Sequence, residues 1–240
     1  IDEMLGNVIL RNTSYTDNRG TYFMDSLNLT LTNNDFNSKD VRLICDFFNL
    51  DIKGIFNFRN IDNTFKNYVL NHFHIDKWTT KGVRLPAENQ EFYVNMNLKN
   101  TETLSRLLLP NLTVSENTVL TATFTSNNYQ LHSTLESDEI TYNGVIFSDV
   151  YVKNKTEKDK TTLNINLKDF IFKQKSPTNP VELGLENMKF YFDLHDDSLL
   201  FDLSWDDALL DDVNKGKLSA TYLANEHGGQ LHEIGRASCR

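Results

Sequence analysis

The sequence has few of the residues that would cross-link a chain. It contains two cysteines, Cys45 and Cys239, in 240 residues. These two residues support no disulfide framework, because Cys239 lies in the segment 233–240, which we expect to be an artefact. The hydrophobic content of 39% is nevertheless enough for a folded core and too high for a solvated disordered tail. We therefore expect a folded protein without disulfides.

The chain also lacks an excess of positive charge. Its formal net charge is -9, and its acidic and basic residues are interspersed. No basic face is available to neutralise the phosphates of a nucleic acid. We therefore expect no nucleic-acid partner.

No export signal and no apolar stretch of about 20 residues occurs in the sequence. The start at Ile1 and Asp2 is abrupt, and the segment Ile234–Arg240 resembles a translated sequencing adapter. We expect a fragment of a larger protein, in which residues 1–232 form a single elongated β-rich segment and residues 233–240 are an artefact. The absent signal and anchor then describe the fragment and not its parent.

Apolar and polar residues alternate along most of the chain, the pattern of half-buried strands. The alternation is clear at 27–31, 41–45, 56–58, 92–98, 120–124, 163–167 and 201–205. Clusters of Asn, Asp and Gly, such as 126–128 and 142–144, interrupt it and suit tight turns. The sequence predicts an all-β, mainly antiparallel meander, which could form a sandwich, a barrel or an elongated curled sheet.

Two segments have helical spacing instead. Ile61, Phe65, Tyr68 and Phe73 predict an amphipathic helix over 61–74. A second, short helix is predicted over 101–109, where Pro110 ends it. Two further segments, 153–160 and 176–180, are charged or proline-containing and predict surface loops.

The sequence offers no convincing catalytic or metal centre. His72 and His74 could begin a zinc site, but on a helix end they diverge, and no third ligand has a clear spacing. The acidic residues at 193–212 lack the spacing of a calcium-binding loop, so solvated turns explain them better. No nucleophile elbow, phosphate-binding loop or metalloprotease helix occurs, and Cys45 occupies an apolar strand position. We expect no enzyme, no cofactor and no bound metal.

Several stretches resemble the TamB-like proteins of Bacteroidota, which are translocation and assembly module proteins of the AsmA-like superfamily. They are the strand at 27–31, the segment 52–60 with the helix that follows it, and the stretch FYVNMNLKNTETLSRLLLPNL at 92–112. Trp205, after an Asp-Leu-Ser strand, fits the same region. The resemblance spans about residues 5–224 and rests on hydrophobic pattern and a few corners.

The resemblance implies a β-taco, a long sheet curled into an open groove with an apolar interior and two short helices. It implies a periplasmic segment of an inner-membrane-anchored parent, which carries phospholipid to the outer membrane and supports outer-membrane protein assembly. The partners implied are phospholipid acyl chains and an outer-membrane barrel protein of the TamA type, reached through a terminus outside this chain. The expected lining residues are Phe56, Phe58, Phe92, Val94, Met96, Leu98, Leu131, Leu135, Phe190, Phe192 and Leu203.

Two other functions stay open at this point. The same apolar residues could pack the closed core of a structural or adhesive β-rich surface protein. A β-solenoid enzyme acting on polysaccharides would instead need an acidic cleft, for which Asp206 and Asp207 are candidates. The lipid-carrying function and the structural or adhesive function differ in one respect. The first needs an open apolar face, and the second needs a closed one.

Overall fold

The computed structural model describes residues 5–34, 38–72, 89–99, 101–158, 160–174, 181–195, 198–207, 215–223 and 230–232. These residues form fourteen strands and little helix, so the predicted all-β class is confirmed. The strands are β1 (Gly6–Asp17), β2 (Gly20–Asn33), β3 (Lys39–Cys45), β4 (Phe48–Ile55), β5 (Glu91–Leu98), β6 (Leu112–Val114), β7 (Val119–Thr125), β8 (Gln130–Tyr142), β9 (Val145–Glu157), β10 (Lys160–Gln174), β11 (Val181–His195), β12 (Ser198–Asp207), β13 (Lys215–Leu223) and β14 (Gln230–His232).

All strands belong to one antiparallel sheet, which is open and curled. The strands lie in chain order from β1 to β14, except that β6 pairs with β8 beside this path. Because β1 and β14 lie at opposite ends of the path, the sheet does not close into a barrel. The predicted meander of antiparallel hairpins is therefore confirmed.

The turns explain why neighbouring strands in the sequence become neighbours in the sheet. Asn143 and Gly144 join β8 to β9 with φ values of 51° and 81°, the left-handed conformation that a two-residue hairpin of this twist requires. At the β1–β2 turn, the Asp17 carboxylate accepts hydrogen bonds from the backbone N–H groups of Arg19 (2.8 Å) and Gly20 (3.2 Å). Such short turns fix the register of the strands that they join.

Both predicted helical segments contain helix. α1 (Ile61–His72) follows β4, and the backbone N–H of Thr64 donates to the Asn60 carbonyl at 2.9 Å in its first turn. α2 (Glu102–Leu108) is only two turns long and lies against β6 and β2. The register places the two helices near opposite ends of the central strands, α1 beside the start of β5 and α2 beside its end.

Two local predictions are wrong. The charged segment 153–160 is not a loop, since β9 extends to Glu157 and β10 begins at Lys160. Its lysines are tolerated because every second side chain faces water, where Lys155 and Glu157 form an ion pair at 2.9 Å. The alternation at Phe56 and Phe58 also does not mark a strand, because β4 ends at Ile55. The predicted loop at 176–180 lies outside the described residues.

The alternation of apolar residues changes phase along one line across the sheet. Along a regular strand, apolar positions on one face are two residues apart. In β8 to β11 the last such position on one side of this line and the first on the other side are three residues apart, as at Phe147 and Val150 of β9 or at Leu167 and Phe170 of β10. Positive φ values at Asp149 (46°) and Asn187 (51°) lie at this line. Such residues bend a strand, and here the strands change phase together, so their pairing is preserved on both sides.

Few apolar side chains are fully buried. The fully buried hydrophobic residues of the described chain are Tyr22, Val41, Cys45, Phe56, Tyr68, Phe124 and Val150. The molecule is thus an extended sheet with a thin core.

Candidate functional site

One row of apolar side chains crosses the sheet from β1 to β13 without interruption. Directly opposed residues on neighbouring strands form it, so its members share one face of the sheet. We call it the central apolar row: Val8, Leu29, Leu43, Leu50, Met96, Leu120, Leu135, Val152, Ile165, Phe190, Leu203 and Leu218.

The central apolar row is not covered. Its residues from Leu29 to Leu218 are half-buried, and Val8 is 41% exposed. Side chains in a closed protein core are typically almost fully buried. The residues of the row are therefore only partly shielded from the solvent, unlike those of a closed core.

The opposite face carries a matching polar row, displaced by one residue on each strand. Its members are Asn7, Thr30, Arg42, Asp51, Asn95, Thr121, Thr134, Lys153, Asn164, Tyr191, Asp202 and Ser219. Neighbours in this row bind each other: Arg42 pairs with Asp51 at 2.8 Å, and the hydroxyl oxygens of Thr121 and Thr134 are 2.7 Å apart. The sheet is therefore amphipathic over its whole width.

Most of the lining residues expected from the sequence lie on this apolar face. Met96, Leu135, Phe190 and Leu203 belong to the central apolar row itself. The other expected residues of β5, β8 and β11 lie at even spacing from these and share their face; they are Phe92, Val94, Leu98, Leu131 and Phe192. The structure thus brings residues of four distant segments into one surface.

Phe56 and Phe58 occupy a different environment, in an aromatic cluster at the start of α1. Phe56 is only 4% exposed, and its ring centroid lies 5.1 Å from that of Phe58 and 5.7 Å from that of Phe92. The ring of Phe92 in turn lies 5.3 Å from that of Phe124. Phe56 is therefore packed against Phe58 and the ring of Phe92 on β5, and it does not lie on the open part of the face.

The helix α1 is held on the apolar face by both ring contacts and hydrogen bonds. The Tyr68 ring lies 6.0 Å from that of Phe124, and its hydroxyl is 2.8 Å from the Thr156 hydroxyl. Burial raises the pKa of Tyr68 above its ordinary value. At the other side of the helix, Gln90 donates to the Thr64 hydroxyl at 2.8 Å. These contacts place α1 against the ends of β7 and β9.

The other candidate sites do not assemble into a centre. The His72 ring nitrogen lies 2.7 Å from the Tyr129 carbonyl oxygen, and His74 lies outside the described residues. The Asp193 carboxylate forms an ion pair with Lys160 at 2.7 Å and accepts a hydrogen bond from the Tyr191 hydroxyl. Partial burial raises the pKa of Asp193, but these two contacts outweigh it and hold the pKa below its usual value. Asp206 accepts a hydrogen bond from Asn187 at 3.0 Å. Within the described ranges, no three metal-ligating side chains come together.

Several residues of the central apolar row were not expected in a lining, although the sequence marks them as strand positions. They are Leu29, Leu43, Leu50, Leu120, Val152, Ile165 and Leu218. Alternation assigns each residue to one of two faces but does not say which faces of successive strands coincide. The short turns, such as that at Asn143 and Gly144, carry this information, because the turn length sets the pairing.

No protein-family model matches the chain, and no curated protein or solved structure does either. In the part of the chain that the structure describes, no helix has the length and apolar character needed to cross a membrane. The site is therefore interpreted from its own geometry, and the resemblance to TamB-like proteins remains a prediction.

Proposed function

We propose that this chain is a periplasmic segment of a TamB-like envelope protein, and that the central apolar row binds phospholipid acyl chains. The observation that supports this function is the continuity of the row across twelve neighbouring strands, with no side chain of the row fully buried. An exposed apolar surface of this extent marks an interaction site. Its linear form suits a long hydrocarbon chain.

Lipid movement on such a surface needs no reaction. Contacts between hydrocarbon groups are non-directional, so an acyl chain can move from one position to the next at nearly constant free energy. The polar groups of the lipid would stay in water at the open side of the groove. In this proposal, the curled sheet forms a β-taco-like groove of a parent protein that is anchored in the inner membrane and reaches a TamA-type barrel.

A structural or adhesive protein is the alternative, and it requires that other protein covers the row. In the described structure, Leu135, Ile165 and Leu203 are half-buried and none of them is fully buried. The lipid function explains this exposure directly, whereas the alternative needs a further layer. The two functions differ in one measurable property, which is whether lipid touches the row.

Photo-crosslinking in a Gram-negative periplasm tests the proposal. A photoreactive residue replaces either Phe192, on the apolar face, or its neighbour Tyr191, on the polar row. Both variants of the chain are exported behind an added signal, irradiated and analysed by mass spectrometry for attached phospholipid. We expect adducts at position 192 and none at position 191.

The two positions differ by one residue, so the expression level and the distance to the membranes are nearly the same. Adducts at both positions would indicate non-specific contact with lipid. An absence of adducts at position 192 in a folded chain would reject the lipid function for this segment.

A further inference from the structure

The sheet ends at β1, and this edge is long and apolar. Among the described residues, no strand lies beyond β1, so its outer side has no partner strand there. The successive residues Val8, Ile9 and Leu10 are 41%, 50% and 41% exposed. Val8 and Leu10 lie on the apolar face of the sheet, whereas Ile9 lies on the opposite face. The strand is therefore apolar on both faces at the place where the sheet is open to another strand.

The opposite edge of the sheet differs from β1. There, β14 is only three residues long and pairs with β13 at 221–223 alone. The other end of β13 carries Lys215 and Lys217. A very short edge strand and edge lysines are features that hinder pairing with further strands. β1 has neither feature, since it is twelve residues long and contains no lysine and no proline. The chain thus protects one edge of its sheet and leaves the other available.

β1 is complementary to itself when two copies run antiparallel with Ile9 at the centre. Directly opposed residues of an antiparallel pair share one face. In this register Ile9 faces Ile9 of the partner subunit, and Val8 faces Leu10 on both sides of the centre. Arg11 is the one cationic residue of the strand, and it faces Asn7, so no like charges meet. The contacts at the centre therefore join apolar side chains only.

The same register keeps the apolar faces of the two copies on one side. A shift by one residue would place Val8 opposite Ile9, which turns the second sheet over and separates the two apolar faces. With Ile9 at the centre, the central apolar row passes from Val8 to Leu10 and then to Leu27 of the partner subunit. The apolar surface then continues from one copy into the other.

We propose that β1 is a dimerisation edge, and that a second copy of this chain binds it by antiparallel pairing about Ile9. A contact of this edge with itself has twofold symmetry and closes after two copies. A contact between β1 and the β13 edge would instead repeat without closing, and Lys215 and Lys217 oppose it. Dimerisation through β1 does not depend on the proposed lipid function.

Sedimentation velocity of the full chain with two matched substitutions tests the dimer. Ile9→Lys places two ammonium groups opposite each other at the centre of the interface, which opposes pairing. Ile44→Lys is the control, because Ile44 lies two strands away in the same row of the same face and is 42% exposed. We expect dimers of the unchanged chain and of Ile44→Lys, and a dissociation constant raised by at least about tenfold for Ile9→Lys. Circular dichroism verifies that both variants are folded.

Disulfide formation tests the register without a disruptive charge. In a Cys45→Ser and Cys239→Ser background, Ile9→Cys lies opposite its own copy, with Cα atoms about 5 Å apart, so a disulfide can form. Asn7→Cys is the control on the same strand and face, because the two copies of this position are about 14 Å apart, too far for a disulfide. We expect oxidation to produce a covalent dimer of Ile9→Cys and none of Asn7→Cys.

The other outcomes overturn the proposed dimer. A monomer at every concentration would show that β1 does not pair with itself. A dimer that dissociates in Ile44→Lys but not in Ile9→Lys would place the interface on the face of the sheet. A covalent dimer of Asn7→Cys alone would show a different register, and a ladder of higher oligomers would show pairing with the β13 edge. Lipid binding is tested separately, by the crosslinking at position 192.

Discussion

The hydroxyl of Tyr68 gives the sharpest test of how α1 is attached to the sheet. The Tyr68→Phe substitution removes the bond to Thr156 but keeps the ring, whose contact with Phe124 at 6.0 Å is preserved. Thr156 is fully buried and keeps only a longer contact with the Thr161 hydroxyl, at 3.3 Å. Leaving a buried polar group partly unsatisfied costs about 1–2 kcal/mol of the free energy of unfolding.

Urea denaturation of the full chain measures this loss. A decrease of this size moves the midpoint down by about 0.5–1 M at an ordinary denaturant dependence. Tyr93→Phe is the matched control, because Tyr93 lies on the opposite face, is 42% exposed and should change the midpoint little. A double-mutant cycle with Thr156→Val should give a coupling energy of about 1 kcal/mol. A midpoint for Tyr68→Phe equal to that of the control, with no coupling, would refute the docking of α1 on the apolar face.

The same hydroxyl predicts how stability depends on pH. Burial raises the pKa of Tyr68 in the folded state above its unfolded value of about 10. Above that pH the unfolded chain releases the proton while the folded chain retains it, so the stabilisation is complete below pH 10 and decreases as the pH rises further. Tyr68→Phe should therefore lose less stability between pH 9 and 11 than the unchanged chain does. Equal losses in the two proteins would contradict the burial of this hydroxyl.

Three further predictions concern other parts of the sheet. Gly54→Ala should destabilise the chain by about 1–3 kcal/mol, because Gly54 has a φ of +142° and a Cβ there would lie 2.1 Å from the Glu91 carbonyl oxygen; an unchanged urea midpoint would contradict the β4–β5 pairing. Gly216→Ala should displace the Trp205 indole, because the ring lies 2.1 Å from the position of the new Cβ. A shift of the tryptophan fluorescence emission would show the displacement, and an unchanged spectrum would argue against the contact. Cys45 is only 3% exposed, so in a Cys239→Ser background its thiol should react with a thiol reagent only as fast as the chain unfolds; rapid reaction in the native chain would show that Cys45 is not packed.

The sequence predicts the fold class and most elements because alternation is a local signal. It also predicts that Phe192 and Tyr191 lie on opposite faces, since this follows from the period of a strand alone. It does not predict the central apolar row, because that row depends on the pairing of successive strands. The charged residues of 153–157 conceal a strand, since Lys153, Lys155 and Glu157 all lie on its solvent-exposed face.

The phase change at Asp149 is a second feature that local patterns miss. A strict period of two places Phe147 and Val150 on opposite faces, yet β8, β9 and β10 all change phase at this line and keep their pairing. A single strand seen alone gives no sign that its neighbours change phase at the same level.

We propose that the apolar row is open to lipid along its length, and fluorescence quenching tests this proposal. Single cysteines are placed in a Cys45→Ser and Cys239→Ser background at two positions of the row, Ile165 and Leu203, and at their neighbours Asn164 and Asp202 on the polar row. Each is labelled with a small fluorophore and mixed with phospholipid that carries a quencher on its acyl chain. We expect quenching at positions 165 and 203 and little at positions 164 and 202. Equal signals on both faces, or no quenching at either row position in a folded chain, would contradict it.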